Sequence, residues 1–140
     1  MITSANVARI LGLGARVRSQ NDLRHAIARG LPKRALGSVV AYVVTDAGEA
    51  ARLKNRLVAP ATYKRRTTTL KPDESERVER LARVMALAED AFGSADEARR
   101  FLLSPHPELA DERPLDAAQT ELGARQVEEV LWRMEYGLPV

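Results

Sequence analysis

The stretch PDESERVERLARVMALAEDAFG, from Pro72 to Gly93, is the longest uninterrupted helical pattern in the chain. It begins with a proline, which suits the first turn of a helix, and acidic residues follow where the helix dipole is positive. Apolar residues then recur every three or four positions until a glycine stop. They are Val78, Leu81, Ala82, Met85, Ala88 and Phe92. This spacing predicts an amphipathic helix with one buried face.

The sign of the charge changes where this helix begins. Met1 to Pro72 carries 14 Lys and Arg against 3 Asp and Glu, a net +11, whereas Asp73 to Val140 carries 8 against 16, a net −8. Net charge bears on association rather than on fold. Two halves of opposite sign therefore indicate two surfaces for two partners, and the basic half suits phosphate.

Composition excludes several classes of protein. With 140 residues, 45% of them hydrophobic, the chain can form one ordinary domain or two small ones. It has no Cys, and its two His, His25 and His106, are far apart, so we expect no disulfide, no metal and no cofactor. No run approaches the roughly 18 apolar residues that cross a bilayer, and Met1 to Leu13 lacks a signal-peptide layout. We expect a cytoplasmic protein without a membrane partner.

The basic half contains several shorter helical patterns, which predict an all-α fold. One runs from Gln20 to a stop at Gly30. The next begins at Pro32, although its valine-rich end leaves a strand as the alternative. A third has Thr45 or Asp46 as its N-cap, with a glutamate in capping-box spacing.

The acidic half continues the helical pattern after Gly93. Ser94 and the glutamate three residues later form a capping box, and a proline-bounded loop follows that helix. Another helix is predicted to start at Pro114. The last one is predicted to run from about Thr120 to Tyr136 and to end in a glycine cap.

The helix after Asp46, a turn near Val58 and a second helix from Pro60 have the layout of a helix-turn-helix. The second helix is rich in basic and hydroxyl side chains, which in a major groove contact guanine edges and phosphates. The candidate DNA-binding residues are Thr62, Tyr63, Lys64, Arg65 and Arg66. A solvated linker is the alternative interpretation of this charge run.

A second candidate surface lies on the last helix. At about 100° per residue, Trp132 and Tyr136 fall on the side opposite the apolar stripe, together with Arg125 and Glu129. Exposed aromatics beside an arginine are typical anchors of protein interfaces. The alternatives are a helix buried on two sides and a homodimer seam.

Enzyme signatures are weak, and we expect no catalytic residues. Gly12 and Gly14 begin a GxGxxG pattern, but Val17 replaces the third glycine, so a turn is the better interpretation. Neither His25 nor His106 has a nucleophile or an orienting carboxylate beside it in the sequence.

The chain resembles the Xre/MbcA/ParS group of bacterial antitoxins, in particular those paired with RES-domain toxins. The similarity is strongest from Leu70 to Gly137, in LKPDESERVERLARVMALAEDAFGS, ADEARRFLLSPHPEL and RPLDAAQTELGARQVEEVLWRMEYG. NDLRHAIARGLPKRAL and APATYKRRTTTLKPDES are similar to the Xre-like helix-turn-helix half. Where many relatives have a serine before the proline, this chain has Lys71, so a helix cap is expected to be lost; ADER, residues 110–113, replaces a glycine-containing loop.

The resemblance implies a type II antitoxin without catalytic activity. It implies an Xre-like helix-turn-helix domain in residues 1–71, which binds operator DNA and represses its own operon, and a small helical toxin-binding domain in residues 72–140. The toxin would be a RES-domain protein that degrades NAD, and the C-terminal end of the antitoxin would block its active site. The residues carried over to that contact are Arg133, Glu135, Tyr136, Gly137, Leu138, Pro139 and Val140.

A stand-alone helix-turn-helix transcription regulator is the competing hypothesis. In either case we expect a homodimer, because operators for such proteins are usually two-fold; in the antitoxin hypothesis that dimer lies within a toxin–antitoxin hetero-oligomer.

Overall fold

The structure is a computed structural model that describes residues 3–139. Within this range it is helical, with single 3-10 turns at Gly14–Arg16 and Pro107–Leu109 and no β-strand. The helices are α1 Ser4–Leu11, α2 Gln20–Arg29, α3 Arg34–Val43, α4 Ala47–Leu57, α5 Pro60–Arg65, α6 Pro72–Phe92, α7 Ala95–Leu102, α8 Pro114–Ala117 and α9 Glu121–Glu135. The predicted all-α fold is confirmed. No helix among the described residues is long and apolar enough to cross a membrane.

Tertiary contacts divide the chain into two compact units, Thr3–Ala82 and residues 83–139. The division falls within α6, so this helix contributes its first half to one unit and its second half to the other. The predicted boundary between residues 71 and 72 coincides with the beginning of α6. The domain limits 1–71 and 72–140 stay a prediction.

The core of the first unit centres on α3. Its apolar side chains recur at helical spacing and are buried: Leu36, Val39, Val40 and Val43. The strand alternative for this valine-rich segment is therefore wrong. The β-branched residues lie on one helical face, and their burial outweighs a small loss of helix propensity.

Helix α1 was not predicted from the sequence, although its end signals are present. The Thr3 side chain accepts a hydrogen bond from the Asn6 N–H at 3.3 Å, and Gly12 ends the helix at φ 73°. Its buried face packs against α3 and consists of Val7, Ala8, Ile10 and Leu11. Because α1 has only eight residues, its apolar repeat is too short to be recognised in the sequence.

Pro32 does not begin α3 as predicted. It forms an isolated antiparallel bridge with Thr69, and α3 begins two residues later, at Arg34. On either side of the bridge, the Leu70 N–H donates to the Leu31 carbonyl and the Lys33 N–H donates to the Thr68 carbonyl, each at 2.9 Å. The segment between α5 and α6 is thereby fixed along the α2–α3 connection.

Gly30 makes this close approach possible. Its φ is 96°, a region that residues with a side chain rarely adopt, and a Cβ there would collide with the Leu70 carbonyl oxygen. The glycine stop predicted for α2 therefore serves both the helix end and the bridge that follows.

A buried polar cluster fixes the beginning of α6. The Arg66 guanidinium donates to both Glu74 carboxylate oxygens, at 2.9 and 2.7 Å, and the Lys71 N–H donates to the same carboxylate at 2.8 Å. Next along the helix, the Ser75 hydroxyl accepts a hydrogen bond from the Leu31 N–H at 2.8 Å. The cap expected to be missing at Lys71 is thus partly replaced, because Glu74 reaches back as in one half of a capping box.

These bonds stabilise the charged form of Glu74. Hydrogen bonding by Arg66 lowers the pKa of Glu74 from 4.5 to about 2, the Lys71 N–H adds to the effect, and burial opposes it. Glu74 is only 4% exposed, so the hydrogen bonds from these donors replace the hydration that its carboxylate loses on burial.

The second unit comprises the second half of α6 with α7, α8 and α9, and α8 packs against both α7 and α9. Its core includes Val84, Met85, Ala88, Ala98, Leu102, Leu115, Ala124, Val127, Val130 and Leu131. The predicted Ser94 cap is confirmed, since its hydroxyl accepts the Glu97 N–H at 3.3 Å. A close approach sets the packing of α9, where a Cβ on Gly123 would collide with the Ala117 carbonyl oxygen.

The loop after α7 is held by His106. Its Nδ1 accepts the Glu108 N–H at 3.1 Å, and its ring lies edge-on to Phe101 with centroids 6.0 Å apart. The loop then passes through Ala110 and Asp111 with φ of 54° and 61°. These left-handed conformations fall in ADER, the segment that replaces a glycine-containing loop.

We expect Glu74→Gln to lower the free energy of unfolding by about 2–3 kcal/mol at pH 7, because it removes the buried carboxylate that pairs with the part-buried Arg66 guanidinium. The folded-state pKa lies below the unfolded one, so the contribution is full above about pH 4.5 and is lost as the pH falls through 2. Urea unfolding at several pH values measures it. The exposed Glu76→Gln is the control, with an expected change under about 0.5 kcal/mol. A difference that stays constant down to pH 2 would contradict the assignment.

We expect Ala110→Gly to raise the free energy of unfolding by about 0.5–1 kcal/mol, since glycine removes the strain of a left-handed alanine. The same substitution at exposed Ala51, within α4, should lower it by about 1 kcal/mol. Denaturant titrations of both variants compare the signs. Destabilisation at both positions would show that position 110 is unstrained.

Candidate functional site

The helix-turn-helix layout predicted from the sequence corresponds to α4 and α5. The Asp46 side chain caps α4 by accepting the Glu49 N–H at 2.8 Å, which selects Asp46 over Thr45 as the N-cap. Leu53, Leu57 and Val58 are buried and anchor α4 and the turn. Helix α5 starts at Pro60 as predicted and is six residues long.

The structure separates the five candidate DNA-binding residues into three groups. Lys64 and Arg65 are exposed, and Thr62 is half-buried beside Arg65, whose guanidinium lies 3.4 Å from the Thr62 hydroxyl. Arg66 points away from this set, since its guanidinium pairs with buried Glu74. Its charge is therefore already compensated within the fold.

Tyr63, the third group, is half-buried, and two lysines that the sequence did not single out lie over its ring. The ammonium groups of Lys33 and Lys54 lie 4.3 and 4.5 Å from the centre of its ring. Lys33 precedes α3 and Lys54 belongs to α4, so the three residues converge only in the folded chain. No sequence spacing indicates such a contact.

Beside this cluster is a concave surface of about 440 Å³. Its polar lining comes from Lys54, Asn55, Tyr63 and Lys64, and its apolar wall includes Val58. The basic side chains of α4 and α5 thus surround an indentation wide enough for a phosphate group.

The glycines and histidines that were considered for catalysis lie in a turn, on an exposed helix face and in a loop. Gly12 and Gly14 both have positive φ and form the turn predicted in place of a phosphate loop. His25 is exposed on α2, and His106 holds its loop. In the range 3–139 no group of three or more His, Asp or Glu is arranged to hold a metal ion.

The outer face of α9 presents the two predicted aromatics to solvent. Trp132 is 54% and Tyr136 is 61% exposed, and their rings are tilted with centroids 4.9 Å apart. Leu122, at the other end of the helix, and Leu138, after it, are also exposed. The opposite face carries the buried stripe, so the predicted division of this helix into two faces is confirmed.

Arg133 is the charged residue of this surface with two ion-pair partners. Arg133 donates to Glu129 at 2.6 Å and to Glu108 of the preceding loop at 3.0 Å. Arg125 is exposed on the same helix. Arg133, predicted to contact the toxin, is therefore held by two carboxylates.

The chain after α9 turns back sharply. The Gly137 N–H donates to the Met134 carbonyl and the Leu138 N–H donates to the Arg133 carbonyl, at 3.2 and 2.7 Å, with Gly137 at φ 67°. This is a Schellman motif, as the predicted glycine cap requires. Glu135, Leu138 and Pro139 are exposed, and Val140 lies outside the described residues.

Comparison with known proteins identifies both units. Residues 22–83 match the family model of the antitoxin Xre-like helix-turn-helix domain, and residues 87–137 match that of the antitoxin Xre/MbcA/ParS C-terminal toxin-binding domain. Antitoxin Xre of Pseudomonas putida is 33% identical over 87 residues, which is 60% of this chain and 55% of that protein. Antitoxin Xre of Yersinia enterocolitica is 37% identical over 68 residues, 48% of this chain and 46% of that protein.

The chain spans about half the length of the curated relatives that it matches. The two family models, however, follow one another along most of the sequence and correspond to the helices that carry the two candidate surfaces. Residues 22–83 therefore belong to the antitoxin Xre-like helix-turn-helix domain family, and residues 87–137 to the antitoxin Xre/MbcA/ParS C-terminal toxin-binding domain family.

Proposed function

We propose that the chain is the antitoxin of a type II toxin–antitoxin system. Residues 72–140 bind a RES-domain toxin and block the active site at which it degrades NAD. Residues 1–71 bind operator DNA in the cytoplasm and repress the operon. The observation that carries the proposal is the exposed Trp132–Tyr136 pair, which lies within the match to the toxin-binding family model.

The chemistry of this pair supports a protein partner. Trp and Tyr each bury about 150–250 Å² when covered and lose little side-chain entropy, so they recur as anchors of interfaces. Here the two rings contact each other at the end of a helix whose opposite face is buried through Ala124, Val127 and Val130. A partner that covers the pair gains apolar burial without any rearrangement of the core.

The proposed contact extends into the C-terminal tail. Tyr136 to Pro139 are exposed, and the Schellman motif fixes the direction in which they leave α9. Arg133 is bound to Glu108 and Glu129, which supports a role in orienting this end of the helix. We therefore assign occlusion to Trp132, Tyr136 and the tail, with Arg125, Glu129, Arg133 and Glu135 at the rim.

Binding of DNA is supported by α4 and α5. Lys64 and Arg65 are exposed on a short helix that follows a tight turn, in the half of the chain with a net charge of +11. Such a helix can contact bases and phosphates together. Two-fold operators favour a homodimer of this unit within the toxin–antitoxin complex.

Replacing both exposed aromatics tests toxin binding. We expect Trp132→Ala with Tyr136→Ala to raise the Kd for the RES-domain toxin about a hundredfold or more, because each removes an interface anchor. Calorimetric titration gives the Kd, and NAD levels in toxin-expressing cells give protection. Both side chains are exposed, so circular dichroism should be unchanged.

Leu122→Ala is the matched control, since Leu122 is an exposed apolar residue on the same helix about 15 Å away. It should change the Kd by less than about threefold. Full protection by the double variant would refute occlusion by this pair. Loss of self-association with toxin binding intact would instead support the homodimer seam of the competing regulator hypothesis.

DNA binding is tested at the end of α5. We expect Arg65→Ala to weaken binding to a fragment of the chain's own promoter by about tenfold, with an unchanged melting temperature, since its side chain is exposed. Arg66→Ala should lower the melting temperature, because it leaves Glu74 without its charge partner. Mobility-shift titrations and thermal melts separate the two effects. Arg100→Ala, in the second unit, is the control for loss of a positive charge; equal weakening by Arg65→Ala and Arg100→Ala would contradict a specific contact.

A further inference from the structure

Three of the four lysines in the chain converge at one place. The sequence contains 18 Arg and only four Lys, namely Lys33, Lys54, Lys64 and Lys71. Lys33 and Lys54 meet at the Tyr63 ring, and Lys64 is the next residue along α5 and lines the same indentation as Lys54. The convergence joins three separate stretches of sequence.

The cationic charge of this cluster is not compensated by the fold. In the part of the chain that the structure describes, neither Lys33, Lys54 nor Lys64 takes part in an ion pair. The carboxylates of the same unit that form short pairs are engaged elsewhere, Glu49 with Arg52 and Glu74 with Arg66. Two ammonium groups held on one ring without an anion form a site that an external anion would stabilise.

We propose that Lys33 and Lys54 are phosphate-contacting residues for a nucleic-acid backbone, and that the ring of Tyr63 is the positioning group that holds both ammonium groups in place. The inference rests on the DNA binding proposed above and extends it beyond α5. The phosphodiester group occupies the indentation lined by Lys54, Asn55 and Lys64, where the Asn55 amide can donate as well. The ligand class is therefore a DNA phosphate, contacted without regard to base sequence.

This assignment changes the expected role of Tyr63. A hydroxyl that contacts phosphate directly would make Tyr63→Phe harmful, whereas a ring that positions two lysines makes phenylalanine an adequate substitute. A half-buried ring that contacts two cations fits the second role. Lys33 also has a fixed backbone, because its N–H donates to Thr68 in the bridge beside α3.

The test uses the full chain and a labelled DNA duplex of mixed sequence, with Kd measured by fluorescence anisotropy over a series of KCl concentrations. Each phosphate contact contributes about 0.9 to the slope of log Kd against log salt. We expect Lys33→Gln and Lys54→Gln each to reduce that slope by about 0.9, equivalent to about eightfold weaker binding at 0.1 M salt. Lys71→Gln, the same substitution at the fourth lysine, should retain the wild-type slope.

The positioning role of the Tyr63 ring is tested by comparing two substitutions of Tyr63. Tyr63→Leu should weaken binding by about three- to tenfold while keeping the slope, because the lysines still reach the phosphate but must be ordered on binding. Tyr63→Phe should restore wild-type affinity. Equal losses from Phe and Leu would overturn the ring's role and assign the contact to the hydroxyl.

Failure of this inference is distinguishable from failure of the proposed function. If the wild type binds DNA and both lysine variants keep its slope, the lysine site is wrong and DNA binding by α5 stands. If the wild type shows no salt-dependent binding to this duplex or to its promoter, both are wrong. Thermal melts of every variant confirm that the fold is retained.

Discussion

The bidentate pair between Arg66 and Glu74 is the constraint on which the arrangement of the first unit depends. It joins the end of α5 to the first turn of α6 through part-buried bonds of 2.7 and 2.9 Å. Because both ends are fixed, the intervening residues lie along the α2–α3 connection, where the Pro32–Thr69 bridge forms. A buried ion pair is weak evidence for net stability but sets geometry strictly, since an unpaired partner would be costly.

The helices could be predicted because their signals are local. Asp46, Ser94 and Thr120 cap the helices that follow them, and Gly30 and Gly137 end helices as expected. The error at Pro32 has a different cause, because its position is decided by a bridge to a residue 37 positions away. Propensity places a proline at a helix start, and here a long-range backbone pairing overrides that preference.

The candidate surfaces also differ in whether local signals are enough to predict them. Exposure of Trp132 and Tyr136 follows from helix periodicity alone, so the sequence was sufficient to predict it. The partners that charged side chains find in other segments do not follow from periodicity. Arg66 was assigned to DNA and lies against Glu74, and Arg133 was assigned to the toxin contact and lies against Glu108. Turns whose direction the sequence does not specify bring these two pairs together, whereas Glu129 and Arg133 pair at the i, i+4 spacing of a single helix.

The short α5 bears on how this unit would bind DNA. Six residues span about 9 Å, and the helix contains two basic side chains, Lys64 and Arg65, both exposed. So small a recognition helix offers few base contacts, and a larger share of the affinity must come from phosphates. The lysines around Tyr63 supply such contacts from outside α5, without adding to its length. A unit built in this way would bind DNA with a strong dependence on salt and with specificity concentrated in a few side chains.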